Sequence, residues 1–128
     1  MRFLLVFFTI YTFIFGAEFW VKDYETALQM ARKSGKPLMI EAMRDGCYYC
    51  VVMDTKVFED ETAQAAITER VIPLRINISQ EAMPAEIKAR VTPSFYFLDA
   101  DGNLLKKLIG GWTREDFLEI IAGIGENR

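Results

Sequence analysis

The chain has 128 residues, a length typical of a single domain, and 52% of them are hydrophobic, which is enough to build a core without additional cross-links. The net charge is −3, with acidic and basic residues interspersed along the sequence. Because nucleic-acid-binding proteins carry a basic surplus, this balance excludes DNA and RNA as expected partners.

The amino terminus, residues 1–17, predicts an export signal. Arg2 is followed by a mostly apolar run that ends at a Gly-Ala pair, as in secretory signal peptides. The run is shorter than the roughly 20 apolar residues of a transmembrane helix. Phe15 stands where a cleavage site favours a small residue, so an uncleaved amino-terminal anchor is the alternative to cleavage after Ala17. Both interpretations place one domain, residues 18–128, in the periplasm or another exported location.

Capping and periodicity signals predict the elements in the first half of this domain. Asp23 can cap a helix over residues 24–34, and Gly35 ends it. A short apolar run at residues 37–43 is typical of a buried strand. Two further helical stretches follow, over residues 47–58 and 59–70, and then a second strand over residues 71–78.

The second half is predicted to contain a helix, a hairpin and a final helix. Ser79 can cap a helix over residues 81–90, with Pro84 in or near its first turn. The apolar segment that follows is typical of two strands joined at the Asp-Gly dipeptide 101–102, a strong hairpin signal. Thr113 opens the last helix. The alternation of helices and strands predicts an α/β fold with a mixed sheet.

The two cysteines, Cys47 and Cys50, carry the most informative chemistry, and they are the only ones in the chain. Structural zinc needs four ligands and the sequence has no histidine, so no metal is expected. Covalent haem attachment would need a histidine where Val51 stands. A reversible redox pair and a permanent structural disulfide remain open, although a bridge closing so short a loop constrains the unfolded chain little. No cofactor beyond the pair itself is expected.

The spacing of the pair suits the first turn of a helix. There, free backbone N–H groups and the positive end of the helix dipole stabilise a thiolate on the first cysteine. Cys47 is therefore the expected nucleophile. Cys50, one turn further on, is expected to resolve the mixed disulfide by attacking the sulfur of Cys47.

Four segments together resemble the thioredoxin superfamily, and in particular its exported thioredoxin-related members of the SoxW-like type. In chain order they are PLMIEAMRDGCYYC, RINI, VTPSFYFLDADGN and GGWTREDFLEII. The resemblance extends over nearly all of residues 24–124. It implies a thioredoxin-like fold, in which a central mixed β-sheet is flanked by helices.

The resemblance also implies roles for particular residues. It makes Cys47 the attacking thiol, Cys50 the resolving thiol and Pro93 a cis-proline that faces the disulfide. The backbone at Thr92 would then be free to pair with an extended client segment. Glu41 falls where the family keeps a buried acid, whose raised pKa would let it take a proton from Cys50 through a water molecule. Arg75 falls where the family often has a lysine near that acid, and either pairs with it or is a surface cation.

The residues before and between the cysteines depart from the usual family pattern. Arg44, Asp45 and Gly46 occupy the place of the tryptophan that normally precedes the first cysteine. The dipeptide between the cysteines is Tyr48-Tyr49 instead of Gly-Pro, and its rings either contact a protein client or pack into the core. In addition, Trp112 follows two glycines, and it too is interpreted either as client surface or as packing.

The resulting prediction is an exported thiol:disulfide oxidoreductase that acts on protein clients. The lack of histidine removes a common means of making such a disulfide strongly oxidising, which favours a reductase over a disulfide-donating oxidase. A non-catalytic binding module with a structural disulfide is the third interpretation. A monomer is expected, and turnover is expected to need a membrane redox partner.

Overall fold

The computed structural model describes residues 18–125, which form four helices, one π-helical turn and four strands. The predicted signal peptide or anchor, residues 1–17, lies outside the described residues. Within residues 18–125, no helix is both long and apolar enough to span a bilayer. In chain order the elements are α1 (Tyr24–Ser34), β1 (Leu38–Met43), α2 (Tyr48–Met53), the π-helical turn (Asp54–Phe58), α3 (Glu61–Arg70), β2 (Ile72–Asn77), β3 (Ser94–Leu98), β4 (Leu104–Ile109) and α4 (Arg114–Ala122).

Local signals in the sequence explain where the helices begin and end. The Asp23 side chain caps α1 by accepting a hydrogen bond from the Thr26 N–H at 2.8 Å. Gly35 ends α1 in the left-handed region, at φ 72°. Thr113 caps α4 by accepting from the Asp116 N–H at 3.2 Å. The predictions for these two helices are confirmed.

The four strands form one mixed sheet in the order β2-β1-β3-β4. β1 runs parallel to β2 and antiparallel to β3, and β3 pairs with β4 in the predicted hairpin. One face of the sheet, which includes Met39, packs against α3, α4 and the π-helical turn; the other, which includes Ile40, packs against α1. Because side chains alternate along a strand, Glu41 lies on the same face as Met39. The predicted thioredoxin-like α/β fold is confirmed.

The prediction of a helix over residues 81–90 is wrong, because this segment is irregular. Pro84 has no backbone N–H to donate, and the next two residues, Ala85 and Glu86, have left-handed φ values of 55° and 59°. Ser79, the expected cap, instead accepts a hydrogen bond from the Asp45 N–H at 3.1 Å. The chain therefore runs without regular structure from the end of β2 to the start of β3.

Candidate active site

Cys47 and Cys50 form a disulfide at the start of α2, with their Cα atoms 5.3 Å apart. Cys47 is the residue that caps the helix, with an extended backbone, and its Sγ accepts a hydrogen bond from the Cys50 N–H at 3.2 Å. Gly46, just before it, has a φ of 71° that lets the chain turn from β1 into the helix. The sulfur of Cys47 thus already lies at the N-terminal end of α2, where a thiolate is stabilised on reduction.

The two sulfurs differ in their accessibility. Cys47 is half-buried, whereas Cys50 is only 2% exposed. An incoming thiol or disulfide can therefore reach Cys47 more readily than Cys50. This difference matches the expected division of labour between an attacking and a resolving thiol.

Both tyrosines between the cysteines project from the protein surface. Tyr48 is 72% exposed and Tyr49 is 61% exposed, and their rings meet edge to face with centroids 5.2 Å apart. The alternative in which one ring packs into the core is therefore wrong. Exposed aromatic rings beside a redox disulfide offer apolar contact area to a second protein.

A groove of about 500 Å³ adjoins the disulfide on the side of Tyr49. Trp112 is half-buried on its wall, and its backbone N–H donates to Met53 Sδ at 3.3 Å. Its indole also packs against the core, as in the packing interpretation, while a contact with clients stays a prediction. Gly111 lies against Tyr49 in ordinary van der Waals range, since a Cβ there would be 3.6 Å from that side chain. The groove is lined by Tyr49, Val52, Lys56, Gly111, Trp112, Thr113, Arg114 and Glu115.

The turn at residues 92–93 leads into β3. The peptide bond between Thr92 and Pro93 is cis. Pro93 is buried, and its carbonyl accepts a hydrogen bond from the Gly110 N–H at 2.8 Å. Among residues 18–125, no hydrogen bond engages the backbone N–H or carbonyl of Thr92. The Thr92 backbone groups are therefore available to an external strand.

Beneath this surface lies a cluster of three charged side chains, Glu41, Arg75 and Asp54. Glu41 is fully buried in β1 and faces Arg75 across the parallel pairing with β2. Arg75 donates from Nε to Glu41 Oε1 at 2.7 Å, and from Nη1 and Nη2 to the carboxylate of Asp54. The expected pairing of Arg75 with Glu41 is thus present, and Asp54 takes the other edge of the guanidinium.

Two features hold the guanidinium in this orientation. The π-helical turn, closed by the Glu59 N–H donating to the Asp54 carbonyl at 2.9 Å, presents Asp54 to Arg75. On the other side, the ring of Trp20 stacks on the guanidinium, with its centroid 4.2 Å from Cζ. Arg75 therefore has an aromatic ring on one face and carboxylates along its edges.

Burial raises the pKa of Glu41 to about 7, against an ordinary value of 4.5. Arg75 opposes this shift by favouring the carboxylate, and the negative charge of Asp54 reinforces it. Glu41 Oε2 is buried and has no hydrogen-bond partner within residues 18–125. A carboxyl group with these properties can exchange a proton near neutral pH, and Oε2 is the oxygen free to carry it.

Metal ligands are not assembled in the part of the chain that the structure describes. Within residues 18–125 there is no group of three or more histidine, cysteine, aspartate or glutamate side chains close enough to hold an ion.

Sequence reasoning identified the cysteines, the tyrosines and the buried acid, but it missed Asp54 and Trp20. Asp54 follows Cys50 by four residues in a predicted helix, so its place on the same helical face could have been noticed. Trp20 has no such signal, because it precedes the first helix and reaches Arg75 only through tertiary packing. The hydrogen bond from Arg44 to the Arg90 carbonyl, at 2.9 Å, was also missed, because it joins residues that are far apart in the sequence.

Comparison with known proteins gives two relatives of moderate identity. The chain is 30% identical over 100 residues to Anterior gradient protein 3 of Xenopus tropicalis, covering 77% of this chain and 60% of that protein. It is 27% identical over 104 residues to Thiol:disulfide interchange protein DsbD of Ralstonia nicotianae, covering 77% of this chain and 17% of that protein. The chain thus spans less than two thirds of the length of either relative.

Solved structures share the fold at lower identity. A thioredoxin from Thermus thermophilus has a TM-score of 0.66 and 22% identity, covering 81% of this chain and 85% of that one. The oxidised C-terminal domain of DsbD from Neisseria meningitidis has a TM-score of 0.61 and 17% identity, covering 77% and 89%. The periplasmic thioredoxin SoxS from Paracoccus pantotrophus has a TM-score of 0.56 and 16% identity, covering 68% and 93%.

A family model described as a thioredoxin-like domain matches residues 24–124, which include every strand and helix of the described fold. The match also includes the disulfide and the buried acid beneath it. The chain therefore belongs to the thioredoxin-like domain family and has the fold and the paired cysteines of its thiol:disulfide oxidoreductases.

Proposed function

We propose that the protein is an exported thiol:disulfide oxidoreductase that reduces disulfides in protein clients. The observation that carries the proposal is the asymmetry of the cysteine pair. Cys47 is accessible and lies at the N-terminal end of α2, while Cys50 is buried behind it. A purely structural bridge has no need of an accessible sulfur at a helix start.

The reaction proceeds in two exchange steps. In the reduced protein, the Cys47 thiolate attacks one sulfur of a client disulfide. The client S–S bond breaks, and the other client sulfur leaves as a thiolate that takes a proton from water. The Cys50 thiolate then attacks Cys47 Sγ, which breaks the mixed disulfide and releases the second client thiolate. Two electrons pass to the client, and the Cys47–Cys50 disulfide is formed.

Glu41 is proposed to serve the second step. The Cys50 thiol must lose its proton before it can attack, and Glu41 lies in the buried layer on the same side of the sheet as α2. We assign the carboxylate of Glu41 the role of accepting that proton at Oε2, through an intervening water molecule. Its pKa of about 7 keeps a substantial fraction of the group ionised at neutral pH.

Client binding is assigned to the surface around Cys47. Tyr48 and Tyr49 supply exposed aromatic contact area, and Trp112 lines the groove beside them. The free backbone groups of Thr92, next to Pro93, are proposed to pair with an extended client segment by strand addition.

The proposal also includes export of the protein and a source of electrons that restores its Cys47 and Cys50 thiols. Residues 1–17 are assigned as a signal peptide or an uncleaved anchor, and the periplasmic description of SoxS supports an exported setting. Because each client consumes one Cys47–Cys50 dithiol, a second dithiol must restore it. We assign that role to a membrane redox protein.

Trapping the mixed disulfide tests the proposal. In a Cys50→Ser variant the second step cannot occur, so a disulfide-bonded polypeptide should remain attached to Cys47 and be released by dithiothreitol. A Cys47→Ser variant is the matched control, and it should trap little because Cys50 is buried. Equal trapping by both variants, or by neither, would contradict the proposed order of attack.

A further inference from the structure

The loop before the disulfide, residues 44–46, is fastened to two distant parts of the chain. The Asp45 carboxylate accepts a hydrogen bond from Asn77 Nδ2 at 2.9 Å, and the Asp45 N–H donates to Ser79 Oγ at 3.1 Å. Both partners lie at or just beyond the end of β2. Arg44 reaches further along the chain and donates from Nη2 to the Arg90 carbonyl at 2.9 Å.

The Arg44 side chain is partly covered by the protein. It is half-buried, and its Nε is buried without a hydrogen-bond partner among the described residues. A guanidinium group in such a position is not a freely solvated surface cation, because solvated arginines leave their N–H groups in contact with water. Its directional bond to Arg90 is therefore a fixed contact between two segments.

The segment that receives this bond has little regular structure to hold it. Residues 78–93 contain no helix or strand, and within them the Ile87 N–H donates to the Pro84 carbonyl at 3.1 Å to close one turn. The Arg90 carbonyl lies two residues before Thr92, whose own backbone groups are free. The bond from Arg44 thus links the loop that carries Cys47 to the chain that carries Thr92.

We propose that Arg44 is a positioning residue for client docking, which fixes the backbone before Thr92 relative to Cys47 through the Arg90 carbonyl. The inference rests on the proposed function, because it assumes that a client pairs with Thr92 while its disulfide meets Cys47. Strand pairing requires several backbone groups to be aligned at once. If the backbone before Thr92 had to become ordered when a client binds, the entropy cost would weaken binding. A backbone that is already held in place avoids this cost.

Client size provides the test. The rates of reaction of the reduced protein would be measured with a disulfide-bonded polypeptide, insulin, and with a small disulfide, 5,5′-dithiobis(2-nitrobenzoate), which needs no strand pairing. For Arg44→Met, we expect the KM for insulin to rise about tenfold, as for loss of one hydrogen bond from a charged donor. We expect kcat for insulin and the rate with the small disulfide to change less than about twofold. Lys88→Met, which removes an exposed cation from the same irregular segment, is the matched control and should behave as wild type.

The Arg44→Lys variant distinguishes the positioning role of the guanidinium group from an effect of its positive charge. Lysine keeps the positive charge but has a shorter side chain with a single ammonium group, so it does not replace a directional guanidinium bond. The proposal predicts that Arg44→Lys also raises the KM for insulin. If Arg44→Met slows both substrates equally and Arg44→Lys restores both, the charge acts on the Cys47 thiolate and the positioning role is overturned.

A measurement without any substrate keeps this inference separate from the proposed function. Backbone 15N relaxation in the oxidised protein should show a lower order parameter at Val91 in Arg44→Met than in wild type, away from the value of about 0.85 typical of a rigid backbone. An unchanged order parameter in a folded variant would overturn the inference even if the protein is a reductase. If the wild type has no reductase activity and the relaxation result is as expected, the proposed function and the docking role both fall, and Arg44 retains only the role of ordering the backbone before Thr92.

Discussion

Replacing Glu41 with glutamine should change how the stability of the protein depends on pH. The pKa of Glu41 is about 7 in the folded protein, against an ordinary value of 4.5, and each unit of difference corresponds to about 1.4 kcal/mol, so ionising the buried carboxyl costs about 3 kcal/mol. The contribution of Glu41 to stability is therefore fully present below pH 4.5, falls as the pH rises, and is lost above about pH 7. Glutamine has a similar shape and does not titrate.

The assay is urea-induced unfolding of the oxidised protein at several pH values between 4 and 8. The difference in unfolding free energy between wild type and Glu41→Gln cancels the contributions of titrating groups that do not interact with Glu41. Relative to the variant, wild type should lose about 3 kcal/mol between pH 4 and pH 8, in keeping with the pKa of about 7. Glu59→Gln, at an exposed position just after the π-helical turn, is the matched control for replacing a carboxyl group with an amide. A difference that stays constant for Glu41→Gln, or grows with pH, would refute the reasoning.

Three further substitutions test the charge of Asp54, the turn at Gly46 and the packing of Phe117. Asp54→Asn should lower the pKa of Glu41, measured by 13C NMR of its carboxyl group, because it removes a negative charge and keeps an oxygen for Arg75. An unchanged or raised pKa would contradict this. Gly46→Ala should destabilise the protein by about 1 kcal/mol in chemical denaturation, because φ there is 71°. Gly111→Ala, at a position outside the left-handed region with an ordinary van der Waals contact, should be near neutral. Phe117→Ala, at a fully buried position, should cost about 3–5 kcal/mol, and a loss below 1 kcal/mol would count against the packing described.

Much of the fold could be predicted because its signals are local. The start of α1 depends on Asp23 and its end on Gly35, and both act within a few residues of the helix they bound. The β3–β4 hairpin is likewise marked by a dipeptide, residues 101–102, between two apolar runs. Such features can be identified without knowledge of what the rest of the chain does.

Local signals also predict a helix over residues 81–90, and there the prediction is wrong. Its composition favours a helix, and a proline near the first turn is compatible with one. The observed conformation instead includes left-handed residues at Ala85 and Glu86, and it is tied to the rest of the protein by Arg44 and, at Ser79, by Asp45. These contacts come from elsewhere in the sequence, so local propensity does not reveal them.

In the candidate site, too, some features could be predicted from the sequence and others depend on tertiary structure. The spacing of Cys47 and Cys50 predicts a pair at a helix start, and the family resemblance implies the buried Glu41. The position of Arg75 directly opposite Glu41 depends on the register between β1 and β2, which sequence alone does not fix. The stacking of Trp20 on Arg75 depends on how the chain enters the domain. The acid and, as one of two alternatives, its pairing with Arg75 could thus be predicted, but the charge of Asp54, which also acts on its pKa, could not.

The reduction potential of the Cys47–Cys50 pair is the most direct test of the central claim, that the reduced pair transfers electrons to disulfides of protein clients. The purified protein would be equilibrated in glutathione buffers of graded ratio, and its free thiols alkylated and counted by mass spectrometry. A potential near about −250 mV or below, reached by rapid exchange, is the predicted result, close to that of thioredoxin at about −270 mV. A value above about −180 mV would point to a disulfide donor, and a pair that exchanges slowly and stays oxidised would point to a structural bridge.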